Sequence, residues 1–217
     1  AEEIKQPEQG FGLHHTLRFK ASDLIGIVKG VDLTEWNPET DRWLPKNYDR
    51  EDLSGKAESK QQLQEAFGLE AKPDCPLYVV VSRMYSQKGL DLLLYTLPRV
   101  FENMDVQFAV IGSGEAELEQ GFREMASRYP GRFGAHIGYD NALAHLAYGG
   151  GDFFVMPSRF EPCGLGQMYA MAYGTLPVVR STGGLVDTVE QYEEGTEKGT
   201  GFRFDHLSAD ALYYTLG

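Results

Sequence analysis

Cysteine is scarce in this chain of 217 residues, and its two copies, Cys75 and Cys163, lie far apart in no disulfide or metal-ligand spacing. That excludes a disulfide-stapled framework and indicates a reducing compartment. Positive charge is also short: 20 lysines and arginines face 32 aspartates and glutamates, for a formal charge of -12. Such a surface repels nucleic-acid backbones and anionic membranes, so neither is an expected partner, and an anionic ligand needs a local site. Long apolar runs are missing as well. None reaches the roughly 18 to 20 residues that cross a bilayer, and the opening "AEEIKQPEQGFG" lacks the basic-then-apolar order of a secretory signal. The same stretch has no start methionine and no clear beginning of a fold, so a fragment of a longer chain is expected. The five histidines, the adjacent His14 and His15 included, show no ligand spacing, and no metal or other cofactor is predicted. Repeats and low-complexity tracts are absent.

What is present is a 42% apolar chain, enough to bury a real core, with a change of pattern near Ser54. Residues 1–54 form a leading, largely loop-like segment. Leu24 to Val28 reads there as a short strand before a tight turn. "TEWNPETDRWLPKNYD" sets Trp36 and Trp43 among prolines and polar residues, an ordered surface loop that the tryptophans anchor, with a ligand platform the lesser reading. Residues 55–217 form the main domain. A helix after Ser54, a continuous apolar run at 76–82, a helix marked by Leu90, Leu93, Leu94 and Leu97, and the strand "VQFAVIG" begin an alternating series. Further pairs follow: a helix face of Leu118, Phe122 and Met125, strands at 133–137, 152–157 and 176–179, and helices near 141–148, 164–173 and 185–191. "YEEGTEKGTG" reads as a mobile surface loop, and "GFRF" with a helical start closes the series. Apolar strands alternating with helices predict an α/β fold, a parallel sheet with helices on both faces. Ligands then bind at the carboxyl ends of the strands, near the reversal of strand order.

Three loops there carry chemistry. Arg83 follows "YVVVS", with Lys88 five residues on; a guanidinium fork and an ammonium suit a diphosphate, although on spacing alone salt bridges to the many carboxylates are the plainer reading. "GSGEAELE" offers Gly112 and Gly114 but neither a dinucleotide fingerprint nor a P-loop lysine. After "DFFVMP" comes "SRFEPCGLGQMYAMAYGTLP". Its Glu161 suits neutral hydroxyls or positive charge developing at a sugar carbon, while Gly164 and Gly166 bare the amides of a helix start that attract phosphate. A capping segment with an exposed glutamate is the plainer alternative. "STGGLVDTV" provides a second glycine-rich helix entrance. Cys163, without a neighbouring histidine, reads as a small near-site residue and not a nucleophile.

The segments "GIVKGVDLTEWNPETD", "VVSRMYSQKGLDLLL" and "IGYDNALAHLAYGGGDFFVMPSRFEPCGLGQMYAMAYGTLPVVRSTGGLVDTV" closely resemble the carboxyl-terminal half of bacterial glycogen synthases and plant starch synthases. The resemblance implies the Rossmann-like donor domain of a GT-B glycosyltransferase. It further implies transfer of glucose from ADP-glucose, less readily UDP-glucose, to the nonreducing 4-hydroxyl of an α-1,4-glucan, with retention at the anomeric carbon. The catalytic set it assigns is Glu161 at the donor sugar with Arg83 and Lys88 on the diphosphate. Donor contacts fall to Tyr139 beside the base, to Gly164, Leu165 and Gly166 at the distal phosphate, and to Thr182, Gly183, Gly184 and Leu185 in the last donor-facing loop. Two positions depart from the family pattern: Gly166 replaces a common threonine, and Lys29 a common asparagine. Tyr169 stands where broader relatives carry a second glutamate. The glycine-rich acceptor loop of the family's amino-terminal domain is not in the sequence, so that domain is an expected partner and the fragment alone is expected to synthesise polymer poorly. Cytoplasm is the expected location, or a plastid for a plant or algal source. A different sugar nucleotide, or a non-catalytic nucleotide-sugar or glucan-binding module, is the alternative.

Overall fold

The computed structural model describes residues 2–196 and 198–217, in two units that divide after Gly30. Among its described residues the first unit holds one helix, α1 (His14–Phe19), and short 3-10 turns at Glu3–Lys5 and Ala21–Asp23. Arg18 ties α1 to the first turn, its Nε donating to the Lys5 carbonyl at 2.6 Å. The expected strand at Leu24–Val28 does not form: the stretch is irregular, with Ile25 and Ile27 81% and 88% exposed. A short apolar segment becomes a strand only when it pairs, and among the described residues this one pairs with no strand.

The second unit, Val31–Gly217, is the α/β body. Its six strands are β1 (Leu77–Val81), β2 (Gln107–Gly112), β3 (Phe133–Ile137), β4 (Phe153–Met156), β5 (Leu176–Arg180) and β6 (Phe202–Phe204). They run parallel in the order β3-β2-β1-β4-β5-β6, so the order reverses between β1 and β4. The helices are α2 (Ser54–Ala66), α3 (Leu90–Asn103), α4 (Ala116–Arg128), α5 (Asn141–Gly150), α6 (Gly166–Ala172), α7 (Gly184–Thr188) and α8 (Ala209–Leu216).

Both sheet faces are covered, which explains the unbroken apolar strands. Tyr78, Val80, Phe108 and Val110 point into one core with Leu93 and Leu97 of α3, Phe122 of α4 and Leu212 of α8. Their neighbours Leu77, Val79, Ala109 and Ile111 point into the other, with Leu63 of α2, Leu146 of α5 and Ala170 of α6. Residues 31–54 belong to this body. Leu44 and Tyr48 are buried in the second core, and the Tyr48 hydroxyl donates to the carbonyls of Tyr173 at 2.8 Å and Gly149 at 3.1 Å. Trp36 lies flat between His145 and Tyr169, 4.0 Å from each ring, the anchoring role expected of it.

Helix ends differ from the sequence reading at two places. α6 starts at Gly166 and not Gly164, because Pro162–Leu165 form a turn in which Gly164 has a φ of 75°. α7 stops at Thr188 because Val189 returns to extended backbone and buries against Val179 and Leu185. Part of the loop 192–201 is held by a Tyr192 N–H to Gly201 carbonyl bond at 2.8 Å and a Glu193–Lys198 bridge; Glu197 lies outside the described residues. Among the described residues no helix is long and apolar enough to cross a membrane.

Candidate functional site

At the reversal point the loops after β1 and β4 face each other, and local sequence decides how closely. Gly89, φ 68°, lies so near that a Cβ would meet the Pro157 carbonyl oxygen at 2.0 Å, so only glycine permits the approach. The 3-10 turn Ser86–Lys88 and the loop Ser158–Glu161 are then laced together. The Arg159 N–H donates to the Gln87 carbonyl at 2.9 Å, and the Gln87 amide to the Phe160 carbonyl at 3.0 Å. Both Arg159 Nη atoms fork Asp91 at 2.6 Å, and Nη1 also reaches the Ser86 carbonyl at 2.7 Å. Hydrogen bonding from Arg159 outweighs burial and holds the Asp91 carboxyl below its ordinary pKa. From β5, Arg180 grips the same loop, donating to the Ser158 carbonyl at 2.7 Å and to the Arg159 carbonyl.

Within this frame Lys88 Nζ meets Glu161 Oε2 at 2.5 Å, with side-chain exposures of 15% and 8%. Ser158 donates a longer hydrogen bond of 3.4 Å to the same oxygen, and the Gly184 N–H donates to the Glu161 carbonyl at 3.1 Å. A nearly buried ion pair holds these two charges at one point, available to a ligand that supplies an anion to one and hydroxyls to the other. Arg83 stands at the rim of a neighbouring cavity of about 200 Å³. Ser82, Ser113, Gly138, Tyr139 and Asp140 line it, with Ile111 and Ala144 as apolar surface. The Arg83 guanidinium lies 5.7 Å from the Tyr85 ring centre, while Tyr139 leaves 85% of its surface free. The loop after β2 joins this wall through Met84, whose N–H donates to the Ser113 carbonyl at 2.8 Å and whose carbonyl accepts from Glu115 at 2.7 Å.

The structure thus brings Arg83 and Tyr139 into one cavity past the ends of β1, β2 and β3, and pairs Lys88 with Glu161 between the loops after β1 and β4, with the Gly183–Gly184 turn against Glu161. Other expected positions point elsewhere. Leu185 is fully buried with Val179 and Val189, and its N–H bonds the carbonyl of the buried Thr182 at 3.1 Å. Leu165 turns the chain into α6, its carbonyl accepting from Met168 and Tyr169 at 2.9 Å. Gly166 faces inward: a Cβ there would meet the Phe154 ring at 2.7 Å and the Tyr148 hydroxyl at 3.2 Å. The glycine that replaces the family's threonine is therefore matched to Phe154. Sequence reasoning missed the Arg159–Asp91 fork, since two common surface residue types 68 positions apart carry no local signal. Cys163 is partly buried, and among the described residues no cluster of three histidines, cysteines or carboxylates is arranged to hold a metal.

A six-stranded parallel sheet in this order, with charged loops at its reversal, is the carboxyl-terminal α/β domain of a GT-B-like fold. The chain belongs to the family described as glycosyl transferases group 1, whose model matches residues 75–213. The expected resemblance runs along the whole length. The chain is 48% identical over 217 residues to glycogen synthase 1 of Geobacter sulfurreducens, covering all of this chain and 43% of that one. It is 52% identical over 212 residues to glycogen synthase of Myxococcus xanthus, covering 98% of this chain and 43% of the other. Among solved structures, the catalytic domain of starch synthase IV from Arabidopsis thaliana, bound to ADP and acarbose, superposes with a TM-score of 0.92 at 36% identity, covering 99% of this chain and 45% of that one. The carboxyl-terminal domain of the glycosyl transferase LpcC from Francisella tularensis shares the fold at a TM-score of 0.57 and 18% identity, covering 86% of each chain. The chain spans less than half the length of the glycogen synthases it matches.

Proposed function

We propose that this chain is the donor-binding part of a retaining α-1,4-glucan synthase that takes glucose from ADP-glucose and passes it to the nonreducing end of glycogen or starch. The Lys88–Glu161 pair at the reversal of strand order carries the reading. Arg83 and Lys88 supply positive charge for the diphosphate, and the Arg83 rim with Tyr139 supplies a slot for the base. As the bond from the anomeric carbon to the diphosphate oxygen breaks, negative charge grows on the phosphate beside the two cations and positive charge on the sugar beside Glu161. The acceptor 4-hydroxyl then forms the new bond to the anomeric carbon on the face the diphosphate leaves, and its proton passes to the departing phosphate oxygen of ADP. Lys88 withdraws towards the phosphate and leaves the Glu161 carboxylate to the sugar hydroxyls. The Gly183–Gly184 turn lies against Glu161 and shapes the crevice around that carboxylate. The ADP held in the starch synthase structure supports ADP-glucose over UDP-glucose. A water-excluding acceptor cleft needs a second domain, the expected partner of this one.

Calorimetric titration with ADP and UDP tests the reading directly. ADP is expected to bind in preference to UDP, and Arg83→Ala and Lys88→Ala each to weaken ADP about tenfold or more, the scale of one charge-assisted hydrogen bond. Unchanged dissociation constants in both variants would reject the diphosphate assignment. In a chimera completed with the amino-terminal part of the Geobacter relative, Glu161→Gln should cut the glucose-transfer rate at least a hundredfold while sparing ADP affinity. An undiminished rate rejects the role of Glu161.

A further inference from the structure

A second cavity, of about 380 Å³, shares no lining residue with the one beside Arg83. Thr34, Glu35, Thr40, Arg42, Trp43 and Asn141 line it, with the buried Asp41 and His145. Its volume lies within the range of small-ligand sites. Asp41 Oδ2 accepts from His145 Nδ1 at 2.7 Å and from the Tyr173 hydroxyl at 2.5 Å, and Oδ1 accepts from the Trp43 N–H at 2.8 Å. Burial opposes ionisation of Asp41, but these hydrogen bonds outweigh it and hold its carboxyl below the ordinary range. His145 Nδ1 is thus committed to Asp41, and Nε2 is the ring's remaining polar atom. His145 is 1% exposed, and its Nε2 has no hydrogen-bond partner among the described residues. A buried ring nitrogen without a partner calls for a polar group, and a hydroxyl serves it whether the nitrogen donates or accepts. Asn141, one helical turn earlier on α5, brings its amide donor to the same face, while its Oδ1 accepts from the Tyr139 hydroxyl at 3.2 Å.

The remaining chemistry narrows the ligand. Arg42 is set against the carboxylates of Glu35 and Asp41, so the lining has no excess of positive charge for a phosphate. Trp43 is 38% exposed, and its indole has the Arg42 guanidinium 4.9 Å from the ring centre. A part-exposed indole, two carboxylates against one guanidinium, and an unpartnered buried ring nitrogen suit an uncharged ligand with many hydroxyls. We propose that this cavity is a carbohydrate subsite, separate from the donor crevice, that takes one or two glucosyl units of an α-glucan chain. The choice of α-glucan among carbohydrates rests on the function proposed above; the choice of a hydroxyl-rich ligand does not. Trp43 is thus the ligand-facing tryptophan and Trp36 the anchor.

Titration of the chain with maltoheptaose, followed by calorimetry and by Trp43 indole resonances, tests the site with and without saturating ADP. Maltoheptaose is expected to bind, Trp43→Ala and the exposed Arg42→Ala each to weaken it at least fivefold, and Arg83→Ala to leave it unchanged. Saturating ADP should not displace it. Absence of binding, displacement by ADP, or full affinity in both Trp43→Ala and Arg42→Ala with unchanged circular dichroism overturns the proposal. Equal affinity for cellohexaose overturns the α-glucan assignment. Maltoheptaose binding by a chain that ignores ADP sustains this site and removes the donor reading, so the two fail separately.

Discussion

Lys56 shows how far one residue's environment can move its chemistry. Its stem keeps some exposure, but its ammonium is enclosed and donates to the carbonyls of Gly149 at 3.1 Å and Tyr173 at 3.2 Å and to the Thr175 hydroxyl at 2.8 Å. These groups lie at the carboxyl ends of α5 and α6, where a cation is favoured. Burial nonetheless lowers its pKa to about 7, more than nearby Asp152 raises it. The folded state therefore releases this proton near pH 7, whereas the unfolded chain holds it until the ordinary lysine range. Between those limits the unfolded state binds more protons, so the contribution of Lys56 to stability rises with pH. Urea unfolding should show the parent gaining about 2 kcal/mol relative to Lys56→Met between pH 7 and pH 9, at 1.4 kcal/mol per unit. A constant difference between the two proteins rejects the shift. Nothing in "SGKAESK" distinguishes Lys56 from a surface lysine, since its acceptors arrive more than 90 residues later.

At the scale of elements, the strands were legible and the joints were not. Leu77–Val81, Gln107–Gly112 and Phe153–Met156 are apolar because both faces are covered, a property each segment carries in its own residues. Leu24–Val28 looks similar and is not a strand, because pairing is supplied by the rest of the fold and not by the segment. The start of α6 was misread for a related reason. Pro162, Gly164 and Gly166 all suit a helix entrance, and only packing against Phe154 selects the last of them. Gly166→Thr should cost about 1–3 kcal/mol by overpacking, and Phe154→Leu added to it should recover part of the loss. Thermal melts of the single and double variants check this; strictly additive losses would show that the two positions are uncoupled. The residue types at the crevice, Arg83, Lys88 and Glu161, could be picked out from their places after strands. Their facing partners could not, since Lys88 and Glu161 are 73 positions apart.

For the whole molecule, the core belongs to Val31–Gly217, while the first unit buries no large apolar side chain among its described residues. Removing the first 30 residues should leave one cooperative transition, with the melting temperature shifted by less than about 4 °C, the scale of a 1 kcal/mol change in a body of this size. A second transition, or loss of the folded signal, would place essential stability in that segment.

The strand order also has a consequence in time. β1, β2 and β3 are neighbours in both sequence and space, so they can pair as the chain emerges, whereas β4 must return past two completed strands to join β1. That seam rests on a register of two residues, Tyr78 with Phe153 and Val79 with Phe154. Closing it is a long-range step of the kind that slows folding. Arg83 and Lys88 are thus made early and Glu161 late, and the crevice between them comes into being when the two halves of the sheet meet.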